Sequence, residues 1–265
     1  MIYTLKADTN VLIPHFQEGS DDIPYIKSRT STLYAVNNHP TSILFAGLSR
    51  EQIEIVGRAM RISPYARRDF VFHTGETAES LYIVYEGVVK KVYTNARGDE
   101  QILGIFQAGD IFGELFLGKY EHRIGTASAV TSAVVASLTR DDLERLIEQI
   151  PRIGINFIQH LADEQRETLA RMHAMRQANA RNRLMGTLLT LARRSYRASG
   201  EWFGLPPGIT QGDIANVAGL NRSTASLLIN ELRRDGILGG TGRLLTVNRK
   251  RVEHILETEG LEILE

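Results

Sequence analysis

The chain of 265 residues has no cysteine, one tryptophan and seven prolines. Without thiols it builds no disulfide framework, no cysteine nucleophile and no cysteine-ligated zinc or iron–sulfur cluster. No window approaches the ~18 to 20 unbroken apolar residues of a membrane-spanning helix, and no basic stretch followed by an apolar core follows Met1. The expectation is a cytoplasmic protein. The seven histidines (15, 39, 73, 122, 160, 173 and 254) are scattered, with no His-x-His pair. A metal site of clustered histidine and carboxylate is therefore not expected. A single His73 or His122 could ligate haem, but a lone histidine near a strand is usually structural. A phosphate-cradling P-loop and a G-x-S-x-G elbow are also missing, so no catalytic residues are expected and the chain does not read as an enzyme.

What is present is an ordinary globular composition, 43% apolar with 31 basic and 31 acidic residues. The balance is uneven along the chain. From Arg176 to Arg251 thirteen Arg or Lys stand against four acids, a surplus of nine that the rest of the chain cancels. A cationic end joined to an anionic remainder suggests a polyanion-binding segment beside a segment with another task.

Residues 1–42 mix Pro14, Pro24 and Pro40 with polar runs and lack sustained periodicity, which reads as an irregular extension. Ser49-Arg-Glu-Gln-Ile53 fits a capped short helix. From Tyr65 to Leu138, short apolar or alternating runs are separated by Gly75, Gly87, Gly98, Gly104, Gly109 and Gly113. These are strand and turn signals of an antiparallel roll. Leu81, Ile83 and Tyr85 alternate with Tyr82 and Val84, and Glu86-Gly87 and Asn95-Ala-Arg-Gly98 turn the chain into successive hairpins. Thr139-Arg-Asp-Asp142 then opens helical sequence, and Pro151 suits a first helical position. Ile158, Leu161, Gln165, Thr168, Met172, Met175 and Asn179 follow at alternating spacings of three and four, the rhythm of a coiled-coil seam. Ile153 and Phe157, with Ile155 as a third candidate, can pack back on the roll. A long helix with two apolar faces must bury one of them elsewhere, which favours a homodimer over plain core.

The remainder starts near residue 180 with the amphipathic run Arg181–Ala192. Thr210-Gln-Gly-Asp213 resembles a capping box, Ala218-Gly219-Leu220 is a tight turn, and Asn221 suits the N-cap of a second helix. That helix has Ala225, Leu228, Ile229 and Leu232 on an apolar face. Its other face offers Arg222, Ser223, Ser226, Leu227, Asn230 and Arg233. Two short helices joined by a glycine-containing turn, the second with a polar outer face, read as a helix-turn-helix whose second helix enters the major groove of double-stranded DNA. Leu238-Gly-Gly-Thr-Gly-Arg243 and Leu244-Leu-Thr-Val247 read as a β-hairpin wing that brings Arg243 near phosphate. An ordinary helical hairpin would account for the apolar face but not for the wing or the charge.

Gly109-Asp-Ile-Phe-Gly-Glu-Leu115 with Arg123 beyond it, Ile209-Thr-Gln-Gly-Asp-Ile-Ala215 and Gly219-Leu-Asn-Arg-Ser-Thr224 carry a specific resemblance. The run from about Leu44 to Ile255 resembles the cyclic AMP receptor protein and fumarate/nitrate reduction regulator (Crp/Fnr) family. The resemblance implies an α+β architecture: a jelly-roll effector domain over 43–150, a dimerisation helix over 151–179 and a winged helix-turn-helix over 180–265. It also implies a homodimer on a palindromic operator, with RNA polymerase as a further partner.

In nucleotide-binding members of that family, backbone N–H groups at a short helix and an arginine hold the cyclic phosphate, and a glutamate takes the ribose hydroxyl. By position these map to Gly113, Glu114, Leu115 and Arg123. The hydroxyl expected directly after the arginine is replaced by Ile124, with Thr126 two places later. The threonine–serine pair of the dimer helix reads Thr168-Leu169. Each lost hydroxyl costs a bound nucleotide ~1 to 3 kcal/mol if its partner atom stays buried and unsatisfied. A cyclic nucleotide is thus a candidate effector rather than a required cofactor, and a Glu114–Arg123 ion pair closing an empty roll is the competing reading. On the DNA side the candidates are Thr210, Gln211, Arg222, Ser223, Ser226, Leu227, Asn230 and Arg243. Ser223 and Leu227 stand where the family commonly has glutamate and arginine, so a different half-site is expected. Two rival functions remain at this level: a regulator of the same fold controlled by abundance, and a cyclic-nucleotide-responsive module without DNA function.

Overall fold

The computed structural model describes residues 3–5, 12–14, 42–119, 121–175, 179–193, 198–240 and 244–258. The stretch read as irregular holds one ordered pairing, β1 (Tyr3–Leu5) antiparallel to β2 (Leu12–Pro14). Three residues per strand are too few to carry a legible alternation. Helix α1 (Arg50–Ala59) starts at Ser49 with a reciprocal capping box, in which the Gln52 N–H donates to Ser49 Oγ at 3.3 Å and the Ser49 N–H to Gln52 Oε1 at 2.9 Å.

Eight strands follow: β3 (Arg61–Tyr65), β4 (Phe70–Phe72), β5 (Ser80–Glu86), β6 (Val88–Thr94), β7 (Glu100–Gln107), β8 (Ile111–Phe112), β9 (Thr126–Ala129) and β10 (Ala133–Thr139). They form two antiparallel sheets, ordered β3-β10-β5-β8 and β4-β9-β6-β7. The alternation along β5 has a direct structural meaning. Val84, with Phe72, Val89, Phe106 and Phe112, fills the inside of the roll, and Tyr82 packs against that cluster. Leu81, Ile83 and Tyr85 face a second core under α1, α2 (Arg140–Gln149) and the start of α3 (Pro151–Met175). Both faces of the central strand are dry, so neither set is polar.

Helix α3 has 25 residues, about 37 Å of axis at the α-helical rise of ~1.5 Å per residue. Its first turns are anchored. Ile153 and Phe157 are buried, and the fully enclosed Asn156 donates through Nδ2 to the carbonyls of Leu44 (3.0 Å) and Ala46 (2.9 Å). Ile155, expected on the same face, is instead 50% exposed. Two residues from Ile153 it lies about 200° around the helix, on the opposite flank. Further along, Ile158, Leu169 and Met172 are also exposed.

The C-terminal part packs α4 (Ala180–Arg193), α5 (Gln211–Val217), α6 (Arg222–Arg234) and α7 (Arg249–Thr258) around a core that includes Leu184, Leu188, Ile214, Ile229, Leu232 and Val252. A small sheet ordered β11-β12-β14-β13 lies beside it, from β11 (Ala198–Ser199), β12 (Trp202–Gly204), β13 (Leu238–Gly239) and β14 (Thr246–Asn248). β13 and β14 pair antiparallel as the base of the wing. Its tip, including Arg243, lies outside the described residues.

Candidate effector pocket and nucleic-acid interface

The turn after β8 is held open by Gly113, whose φ of +83° is the left-handed region glycine favours. A Cβ here would also stand 3.0 Å from both Arg123 Nη1 and Tyr82 Cδ2. The crowding comes from Arg123 itself. It is 7% exposed, donates through Nη1 to the Gly113 carbonyl (2.9 Å) and through Nη2 to the Ser80 carbonyl (2.7 Å), and lies between the rings of Phe72 and Tyr82 at 4.4 and 5.2 Å. Burial pulls the guanidinium below its ordinary pKa, while Tyr82 and Glu114 act in the opposite direction. The Glu114–Arg123 ion pair weighed from sequence does not form. Glu114 has no ion pair within 4.0 Å among the described residues, and backbone carbonyls take its place on Arg123. Thr126 is likewise engaged, its Oγ1 accepting from the Thr74 N–H and lying 3.1 Å from the Thr74 hydroxyl.

The six effector candidates divide only in part. Gly113, Leu115 and Arg123 border a void of only about 20 Å³. Glu114 and Thr168, with Leu115 again, line an adjoining cavity of about 570 Å³, bounded by β7, α3 and the helix-turn-helix. That is within the ~300 to 1,000 Å³ range of small-molecule sites; the void is far below it. The large cavity also contains Lys91, over the Phe106 ring at 5.9 Å, with its pKa lowered by burial and supported by Glu114 and Glu164. Sequence reasoning missed Lys91, although adjacent lysines on a strand must point to opposite faces.

In the helix-turn-helix, the Thr210 N–H and hydroxyl donate to Asp213 Oδ2 at 2.8 and 2.7 Å, and the Asp213 N–H returns to Thr210 Oγ1 at 3.1 Å. Asp213 closes the capping box that starts α5. Burial raises its pKa, but the bonds from Thr210 and the nearby Lys90 ammonium outweigh that and hold the carboxyl below its ordinary value. Asn221 caps α6 by accepting from the Thr224 N–H at 2.8 Å. Its Oδ1 also accepts from the Ser223 hydroxyl at 2.8 Å, so that hydroxyl is tied to the cap. Arg222, Ser223, Leu227 and Asn230 are exposed, Leu227 at 67%, while Gln211 and Ser226 are half-buried. Several basic residues of this segment are internal ties: Arg181 to Asp235 (2.8 Å), Lys250 to Glu201 (3.1 Å), and Arg251 to the Asp235 and Gly236 carbonyls. Arg222, Arg233 and Arg234, at the two ends of α6, remain exposed without an ion pair among the described residues. Among the described residues no helix is long and apolar enough to cross a membrane.

A roll with a lateral cavity, a long helix beside it and a winged helix-turn-helix with an exposed recognition face define a DNA-binding transcription regulator. The comparisons make the assignment particular. Residues 62–150 match the model for the cyclic nucleotide-binding domain and residues 182–255 that for the Crp-like helix-turn-helix domain. The cyclic AMP receptor protein of Thermus thermophilus is 29% identical over 199 residues, 74% of this chain and 88% of that protein. The fumarate and nitrate reduction regulatory protein of Escherichia coli K12 is 26% identical over 187 residues, 71% of this chain and 74% of that one. The structure of FixK2 from Bradyrhizobium japonicum aligns with a TM-score of 0.64 at 26% identity, over 74% of this chain and 96% of that one. The chain belongs to the Crp/Fnr family of transcription regulators.

Proposed function

We propose that the protein acts as a homodimer on a palindromic DNA site, with an effector between roll and long helix setting the geometry of the two recognition helices. In this reading residues 43–150 sense, 151–179 dimerise and 180–265 bind DNA, with RNA polymerase as a further partner. The observation that carries it is the exposed flank of α3. Ile155, Ile158, Ala162, Gln165, Leu169 and Met172 stand in solvent at alternating spacings of three and four, an unbroken seam for a second copy of α3. Gln165 and Met172 of this seam also line the large cavity, as do Leu161, Thr168 and Met175, so an occupant of the cavity touches the helix that pairs. A ligand shifts such an assembly only through different affinities for two arrangements.

The engaged state of Arg123 favours a second reading, an effector-independent regulator controlled by abundance. Its guanidinium must leave two carbonyls and two rings before it can pair with a cyclic phosphate. Calorimetry with cyclic AMP and cyclic GMP separates the two. Saturable heat that disappears in Arg123→Leu supports nucleotide control; silence with both, in a protein that still binds DNA, supports the second reading.

A further inference from the structure

Strand β7 is the edge of its sheet, and an edge strand offers unpaired N–H and C=O groups. Two of them, on Glu100 and Ile102, are met by one side chain from the helix-turn-helix. Asn216, on α5, donates through Nδ2 to the Glu100 carbonyl at 2.6 Å and accepts the Ile102 N–H on Oδ1 at 2.7 Å. Its primary amide thus continues the ladder as one more peptide group would. The β6–β7 register shifts between Lys91 and Val92, beside this point. From β6, Lys90 reaches Asp213 Oδ1 with its ammonium at 3.0 Å, in a pair whose side chains are 30% and 13% exposed. Ile105 adds an apolar contact with the helix-turn-helix core.

We propose that Lys90 and Asn216 are positioning residues for DNA binding: the β6–β7 hairpin clamps α5 by its backbone edge and one cation, and thereby sets the pose of α6. The assignment rests on the DNA-binding reading of the helix-turn-helix. One observation gives the clamp its sign. It grips α5, while the outer face of α6 stays exposed, so the clamped arrangement leaves the recognition surface open. The ammonium of Lys90 also faces the Asp213 carboxylate that closes the capping box of α5. Because Lys91, the next residue, lines the large cavity, the same hairpin joins the cavity wall to the DNA-binding unit.

The test uses the full chain and the DNA sequence it selects from a random pool. Asn216→Asp keeps the size of the side chain but sets a carboxylate against the Glu100 carbonyl, and Lys90→Met removes the cation. Each is expected to weaken binding by ~5- to 150-fold, the span of ordinary coupling between sites, and Lys90→Arg to restore most of it. Since the chain has no cysteine, spin labels at Ala96→Cys and Glu257→Cys report the distance between roll and helix-turn-helix. With labelled chains diluted in excess unlabelled chain, so that a dimer carries at most one labelled copy, one narrow distance in the parent should broaden in Asn216→Asp and Lys90→Met but not in Lys90→Arg, a pattern that a general loss of stability does not produce. Unchanged distances, or DNA binding that is unchanged or tighter in the clamp variants, overturn the proposal. A parent chain that selects no DNA refutes the DNA-binding reading instead, and the distances alone then decide whether the clamp exists.

Discussion

Replacing both Leu169 and Met172 by glutamate perturbs the assembly on the bare flank of α3. The two side chains are 53% and 59% exposed in the single chain, so pairing covers roughly the remaining half. Complete burial of a Leu or Met stabilises by ~1.5 to 3 kcal/mol, and half of that is about 1 kcal/mol per side chain. Two residues in each of two copies give about 4 kcal/mol, or ~10³-fold in the dimer dissociation constant. Carboxylates facing each other across a two-fold axis add repulsion, so this figure is a floor. Sedimentation velocity at micromolar protein should show the parent as a dimer and the double variant as a monomer with an unchanged far-ultraviolet spectrum. Met175→Glu is the control. Met175 turns toward the helix-turn-helix, its methyl 3.6 Å from where a Cβ on Gly219 would stand, and its substitution should leave the dimer largely intact. A double variant that still sediments as a dimer refutes the placement of the seam on this flank.

Three further outcomes follow from the site geometry. Gly113→Ala forces a non-glycine residue into the left-handed region, costing ~1 to 2 kcal/mol before the contact with Arg123 is counted; urea unfolding should show at least that loss, and an unchanged midpoint would refute the strained turn. The Asp213 carboxyl is held below its ordinary value of 3.8, so its contribution to stability is present above about that pH and is lost as pH falls through the lower folded-state value. Asp213→Asn should therefore destabilise at neutral pH and flatten the acid limb of the stability curve, and parallel curves for the two proteins would argue against it. Asn230→Ala should relax base preference at one position of the selected site by ~1 to 3 kcal/mol, whereas Arg243→Ala should weaken all sequences alike with a shallower salt dependence; a uniform loss in Asn230→Ala would move that residue from base to phosphate contact.

The architecture was legible because its signals are local. Thr210 and Asp213 announce α5, Asn221 announces α6, and glycines at positive φ such as Gly87, Gly98 and Gly109 mark the turns of the roll. The seam was legible only in rhythm. A spacing of three and four fits the stripe from Ile158 to Met175 as well as the one from Ile155 to Met172, and both are exposed in the single chain. The effector pocket was least legible. Position assigned Arg123 to a ligand, but nothing local to Arg123 tells that Phe72 and Tyr82, remote in sequence, stack on it or that the carbonyls of Ser80 and Gly113 occupy it. The pairing of Asn216 with the edge of β7 has no sequence signature, since it depends on which backbone groups a sheet leaves open.

The measurement that bears most directly on the account is selection of binding sites from random DNA by the full-length protein, with the mass of the resulting complex. The account predicts a palindrome with half-site centres ~34 Å apart, two chains per site, and a half-site other than the family's common one, since Leu227 and Ser223 replace its arginine and glutamate. No enriched sequence, or one chain on an asymmetric site, would contradict it.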